Sequence, residues 1–380
     1  MRYLAILTLR NEGAFLLEWL AHHLAVGFTD FLVFSNDCQD GTDRMLDRLD
    51  DLGHLTHVRN DGPYGKGGIQ FSALKLADRH RLVKKADWIM ALDIDEFVNI
   101  HAGRGQLGDL LEALPAADAI TLTWRLFGNG DTLRYEDTPV TEQFTRCAPE
   151  VIHWPWRAAM FKTLYRNDGT YRKTGVHRPR GVEGDSALEQ FRWFDCEGRE
   201  LGPQFKTRRL FSDYGQPNHR LAQLNHYALG AMESFVLKAD RGRAVHSDHM
   251  LDVDYWVERN FNTDEDTSIA RYSEARAAIQ ALLLEDGKLA RLHEKAVAWR
   301  HARFRELMLQ EPFRALFARL LMTPPSRPIN AVTARTLAGF ATLGRRVEQA
   351  RGDSAPQATT EQSADRANGE AEPPKESGTD

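Results

Sequence analysis

The sequence has little cysteine: Cys38, Cys147 and Cys196 are an odd number, far apart, and form no CxxC pair. That excludes a disulfide framework and a thiolate zinc site, and it fits a reducing compartment. No stretch reaches the roughly 18–20 apolar residues of a membrane span. The opening run from Met1 to Leu9 is broken at once by Arg10, Asn11 and Glu12, too soon for the core of a secretory signal. We therefore expect a cytoplasmic protein with no transmembrane segment, which leaves room for peripheral membrane association. Charge of one sign is also scarce, since 49 Lys+Arg stand against 54 Asp+Glu for a net of −5. No basic block is present to neutralise successive phosphates, so a nucleic-acid partner is not expected. Large apolar residues vanish at the end of the chain: from Arg351 onward there is no Val, Ile, Leu, Met or aromatic residue. Such a composition cannot offset the entropy of ordering.

What is present is a regular alternation. Arg2–Leu9 reads as a buried strand, and Glu12–Val26 follows with Phe15, Leu16, Trp19, Leu20 and Leu24 at helical spacing. The unit recurs as strand Asp30–Ser35, helix Thr42–Leu52 and strand Leu55–Arg59. A glycine-rich loop then leads to a helix near Gln70–Lys84 and the buried strand Trp88–Leu92. Alternation of this kind predicts an α/β fold with a mainly parallel sheet flanked by helices. After Ile100 the pattern loosens into strands and loops, with Ala119–Phe127 as one strand, and from Asp252 it becomes helical. The predicted organisation is a domain over residues 1–245, a helical C-terminal region over 246–345 and a disordered acidic tail over 346–380.

The strand Trp88–Leu92 runs directly into Asp93-Ile94-Asp95-Glu96, three carboxylates within four positions. A hard divalent cation would relieve their repulsion, and the carboxyl end of a strand in an open sheet is where ligands collect. If the strand continues, Asp93 and Asp95 point the same way and address one metal. The alternative is a strand end followed by an acidic helix N-terminus, with Glu96 complementing the helix dipole. A second polar stretch, Ser35 to Thr42, opens a helix at another strand end, where it either contacts a nucleoside or forms an ordinary turn capped by Thr42. The loop Gly62–Gly68 is not a phosphate-binding Walker motif, because no Gly-Lys-Ser/Thr ends it.

Taken in order, several short blocks resemble glycosyltransferases related to families 2 and 92, which have the GT-A fold. The blocks are Thr8-Leu9-Arg10-Asn11-Glu12, Glu18-Trp19, Asn36-Asp37 to Asp40-Gly41-Thr42, Gln70, and Asp87-Trp88 to Phe97. They continue in Leu224-Asn225-His226-Tyr227 and in Ser234-Phe235 with Lys238, Arg241 and Gly242. The resemblance covers about residues 3–245. It implies that Asp93 and Asp95 hold Mn²⁺ or Mg²⁺ against the diphosphate of a nucleotide-sugar. It further implies that Arg10, Asn11, Glu12, Asn36, Asp37, Gln70 and Asp93 line the nucleotide, with Asp37 against the nucleoside.

Similar enzymes often close the metal site with a late histidine, for which His226 is the first candidate and His177 the second. An inverting displacement also needs a carboxylate to take the acceptor's proton. Asp185 and Glu183, in a glycine-flanked loop, stand at about the expected chain distance, and Glu136 and Asp137 are rivals. The expected function is metal-dependent transfer of a sugar, uridine-linked and with inversion, to a glycan or other hydroxyl acceptor. The alternatives are a nucleotidyltransferase on a similar scaffold and a non-catalytic nucleotide-sugar or glycan-binding protein.

Overall fold

The computed structural model describes residues 1–64, 67–182, 184–213, 215–242 and 251–352. Its main feature is a nine-stranded sheet in the order β3-β2-β1-β4-β8-β6-β12-β5, with β11 paired to β6. The strands are β1 (Tyr3–Leu9), β2 (Asp30–Ser35), β3 (Thr56–Arg59), β4 (Trp88–Leu92), β5 (Glu96–Ile100), β6 (Ala119–Leu126), β8 (Phe161–Arg166), β11 (Trp193–Asp195) and β12 (Ala222–His226). Two short antiparallel ladders stand apart from it: β7 (Arg146–Cys147) with β13 (Asp264–Glu265), and β9 (Tyr171–Lys173) with β10 (Arg180–Val182).

Helices α1 (Gly13–Val26), α2 (Thr42–Asp51), α3 (Gly68–Ala77) and α4 (Arg81–Lys85) connect the first four strands. The continuous helix expected over Gln70–Lys84 is thus two helices. The imidazole of His80, at the start of α4, accepts from Leu82 N, restarting the helix after a break at Asp78–His80. Helices α5 (Leu107–Ala113), α6 (Val140–Gln143), α7 (Asp185–Gln190), α8 (Pro203–Thr207), α9 (Met232–Arg241) and α10 (Val253–Val257) punctuate the middle of the chain. Helices α11 (Ser273–Leu284), α12 (Gly287–Leu307), α13 (Glu311–Met322) and α14 (Ala331–Gly352) follow.

Direction within the sheet sets the site. Strands β1, β2, β3 and β4 run parallel. Because β8 is antiparallel to both β4 and β6, β6 runs with β4, and β12 runs with β6. The carboxyl ends of β1, β2, β4, β6 and β12 therefore meet at one edge, where β5 and β8 begin. The order turns back at β1, between β2 and β4, which is the switch point where ligands bind in open sheets.

One buried cluster joins early and late parts of the first 296 residues. Leu16, Trp19 and Leu20 of α1 share a buried cluster with Leu283 of α11 and with Leu289 and Ala296 of α12. Glycine is needed at position 13, where a Cβ would come within 2.9 Å of the Ala296 Cβ. Met1–Ile329 forms one compact unit and Asn330–Asp380 a second. The boundary expected at residue 245 falls within Arg243–Met250, outside the described residues. The expected tail begins too early, because α14 continues helical through residues 346–352, and residues 353–380 lie outside the description.

The helix histidines of α1 are core residues. His22 Nε2 donates to the Val98 carbonyl at 2.8 Å, while His23 Nδ1 donates to Trp19 O at 2.8 Å and its Nε2 accepts from Val98 N at 3.4 Å. Burial lowers both pKa values, that of His22 to about 4. The fold thus holds neutral rings that the unfolded chain protonates below about pH 6.5, so stability is present above that pH and is lost as pH falls toward 4. For His22 alone the loss is about 3 kcal/mol across that window. Urea unfolding at pH 7.5, 5.5 and 4.5 should show this decline, with a shallower slope in His22→Gln.

Candidate functional site

Trp19 fixes the acidic segment in place. Its indole Nε1 donates to the carbonyls of both Asp93 and Glu96, each at 3.1 Å, from a fully buried position. Glu96 N bonds back to Asp93 O at 3.1 Å, so β4 stops at Leu92 and Asp93–Asp95 forms a tight turn into β5. Neither expectation for this segment holds in detail: the strand does not continue through Asp95, and Glu96 opens a strand rather than a helix. As a consequence the two aspartates face different partners.

Asp93 accepts from Gln70 Nε2 at 3.1 Å on one oxygen and from Lys162 Nζ at 2.9 Å on the other. Glu96 is fully buried and accepts from Trp124 Nε1 at 2.7 Å and Asp93 N at 2.8 Å, with Lys162 Nζ at 3.4 Å. Burial pushes the Glu96 carboxyl up to about 8, Lys162 works against that rise, and the neighbouring charges of Asp93 and Asp95 add to it. Asp95 instead meets Lys238 Nζ at 2.5 Å, with His226 Nε2 at 3.7 Å. Burial opposes its charge, but the Lys238 ammonium and then His226 hold it well below the usual carboxylate range. Tyr227 N, bonded to Asp95 O at 2.8 Å, ties the end of β12 to the turn.

His226 pairs in register with Glu96 and packs on Trp124 with ring centroids 4.1 Å apart. Burial lowers its pKa, and its Nδ1 has no partner among the described residues. His177 touches the other histidine's platform, 6.0 Å from Trp124, and its Nδ1 bonds to Phe161 O at 2.9 Å. Burial, and then Lys162, lower it to about 4. Of the expected metal ligands, Asp95 and His226 are therefore brought together, while Asp93 turns toward Gln70 and Lys162. Among the described residues no three His, Cys, Asp or Glu side chains are gathered about one point.

The other expected residues line the same edge. Asn11 and Asp37 both adopt positive φ, 54° and 42°, a conformation that costs on the order of 1 kcal/mol or more and concentrates at ligand sites. Asn11 Oδ1 accepts from Gln39 N at 2.7 Å, and the Asp37 carboxylate accepts from Tyr64 Oη at 2.6 Å. Asn36 Oδ1 accepts from Asn60 Nδ2 at 3.0 Å. Glu12 is ion-paired with Arg241 of α9 and lies 3.6 Å from Arg300 of α12, and Arg241 also donates to Arg10 O. The N-cap of α2 is not Thr42 but Gly41, which has no side chain to cap with, and Asp40 just before it accepts from Thr42 N at 2.9 Å and from Gly13 N at 3.0 Å, joining the starts of two helices.

A cavity opens beside Asp95. It is bounded by Asn11 and Glu12, by Lys238 and Arg241 of α9 and by Trp299 and Arg300 of α12, with Phe15, Phe144 and Leu237 as apolar wall. Of the proposed bases, Glu183 lies outside the described residues, and Asp185 begins α7 with its side chain outside the description. Their rival Asp137 is bonded to His293 Nε2 at 3.1 Å.

Sequence reasoning missed Lys162, Trp124 and Arg300. The one local signal was a lysine inside the apolar strand Phe-Lys-Thr-Leu-Tyr-Arg, where a charge needs a buried partner.

An open, mainly parallel sheet whose switch-point edge carries paired aspartates is the GT-A arrangement implied by the resemblance. The sequence profile described as glycosyltransferase family 92 matches residues 6–199. The chain belongs to glycosyltransferase family 92. Proteins assigned to that family in Ricinus communis and in Oryza sativa subsp. japonica are similar to it. The first is 28% identical over 104 residues, 26% of this chain and 17% of that protein. The second is 26% identical over 150 residues, 37% of this chain and 24% of that protein. In each case the match takes in less than a quarter of the relative's length. Among solved structures, S. aureus TarS 1-349 in complex with UDP-GlcNAc is similar at 14% identity and a TM-score of 0.27, over 44% of this chain and 46% of that one.

Lys162 carries the charge balance of the turn. Removing its ammonium in Lys162→Met leaves the Asp93 carboxylate without its counter-charge and Glu96 without one of its neighbours, and should lower the stability of the protein measurably. In urea unfolding, adding Glu96→Gln should recover part of that loss, whereas equal stability of Lys162→Met and the parent would show the pair to be energetically idle.

Proposed function

We propose that this protein transfers a sugar from a uridine diphosphate-sugar to a hydroxyl of a glycan or other acceptor, with inversion and with a divalent cation. The observation that carries the reading is the Asp93–Asp95 turn at the switch-point edge of a family 92 chain. Asp37, at the end of β2, offers a carboxylate to the imide N–H of a uracil ring. Gln70 and Asp93 together present an amide and a carboxylate to the ribose.

The donor chemistry fits Mn²⁺ or Mg²⁺: Asp95 supplies a hard oxygen, and His226 is kept neutral by burial with Nε2 turned toward Asp95. When bound by these residues, such a cation stabilises the charge of the departing diphosphate as a Lewis acid. Lys238 and Arg241 border the same cavity and oppose that charge from α9. In the reaction the acceptor oxygen bonds to the anomeric carbon as the carbon–oxygen bond to phosphate breaks. The electron pair leaves on the diphosphate and the acceptor's proton passes to a base, for which Asp185 and Glu183 are proposed. The three thiols are unpaired, which supports a reducing, cytoplasmic setting.

Two measurements test this reading. Asp95→Asn should lower Mn²⁺-supported hydrolysis of uridine diphosphate-sugars by about 100-fold or more, the scale on which lost charge stabilisation acts. Activity unaltered by this substitution would sink the assignment, and release of pyrophosphate would favour nucleotidyl transfer. His226→Ala should raise the Mn²⁺ concentration needed for half-maximal activity, while His177→Ala should leave it nearly unchanged; the opposite pattern would make His177 the ligand.

A further inference from the structure

Helix α14 presents a long apolar face to solvent. Val332, Leu337, Phe340, Leu343 and Val347 are 65, 39, 66, 57 and 43% exposed. At 100° per residue they fall on one side of the helix, whereas Arg335, Arg345 and Arg346 fall on the other. Glu348 is the one acidic residue between Ala331 and Gly352. The helix is therefore amphipathic, basic on its polar face and, among the described residues, without a cover for its apolar one.

Three occupants could cover that face. The chain's own continuation is unsuited, because no Val, Ile, Leu, Met or aromatic residue follows Arg351. A second copy of the helix is a poor match too. Neither heptad register that runs along this face is well filled: Thr333, Leu337, Phe340, Gly344 and Val347 lack a large apolar side chain at two of five positions, as do Thr336, Phe340, Leu343, Val347 and Ala350, and coiled coils need three or four well-filled heptads. A lipid surface has no such register to satisfy, and it accepts an apolar face beneath a basic one. Among the described residues no helix is long and apolar enough to cross a membrane, so the helix would lie on the surface rather than span it.

We propose that α14 docks the protein on an anionic lipid surface, with Leu337, Phe340 and Leu343 in the headgroup boundary and Arg335, Arg345 and Arg346 attracting the lipid charge. The inference is independent of the sugar-transfer reading.

The test is co-sedimentation of the full chain with vesicles of phosphatidylcholine alone or with added phosphatidylglycerol. The protein should pellet with the anionic vesicles and be released by salt. Phe340→Glu should cut the bound fraction, and Arg345→Glu with Arg346→Glu should weaken binding by about fivefold per arginine or more. The arginine pair lies on the polar face, so it reads lipid binding even if Phe340→Glu perturbs the helix. Unchanged thermal unfolding of the variants should accompany the loss. Equal retention on neutral vesicles, or binding indifferent to these substitutions, would overturn the proposal. So would light scattering that shows a dimer dissolved by Phe340→Glu, which would make a second copy the occupant.

Discussion

The structure depends on holding three carboxylates within four residues at the end of a buried strand. Asp93, Asp95 and Glu96 would repel one another in a medium that screens poorly, and the fold answers with two ammonium groups and an indole. Lys162 serves Asp93 and Glu96, Lys238 serves Asp95, and Trp124 gives Glu96 a hydrogen bond. The desolvation of so many charges is recovered only while the partners keep their positions, since a buried charge without its partner is costly. That requirement fixes the relative placement of β4, β5, β6, β8 and α9, which are the elements that build the edge of the sheet.

The same network decides how the site can work. Lys162 is buried and divides its attention between two carboxylates, so it acts as a fixed counter-charge that orients Asp93 toward Gln70. Lys238 borders the cavity, beside Arg241, and is placed to exchange its interaction with Asp95 for one with an incoming anion. Lys238 and His226 both face the same Asp95 oxygen.

Helix α12 is part of this design rather than an appendage to it. Arg300 sits over the rings of Phe15 and Tyr135, 4.4 and 4.8 Å from their centroids, and reaches Glu12 at the start of α1. Burial lowers its pKa, while Glu12 is the first group to offset that cost. With Trp299 it closes the far wall of the cavity. The family profile ends at residue 199, so this wall comes from chain beyond the matched region and can set what the cavity admits.

Much of this was legible in the sequence because it is encoded locally. Alternating apolar periods gave the strands and helices of the first hundred residues, and the direct passage from an apolar strand into Asp93-Ile94-Asp95 marked the site. Asn36, Asp37 and Gln70 fell at the same edge because parallel strands bring their carboxyl ends together, a consequence of topology that alternation implies. The tertiary structure alone decided which partner each carboxylate takes. Lys162 lies 69 residues from Asp93, and Lys238 lies 143 from Asp95, so no short-range pattern couples them. It also decided that the strand breaks at Asp93, since that break depends on Trp19, 74 residues earlier, reaching the Asp93 carbonyl. Local sequence determines periodicity and chemistry, whereas the pairing of buried charges is settled by which distant side chains share one low-dielectric space.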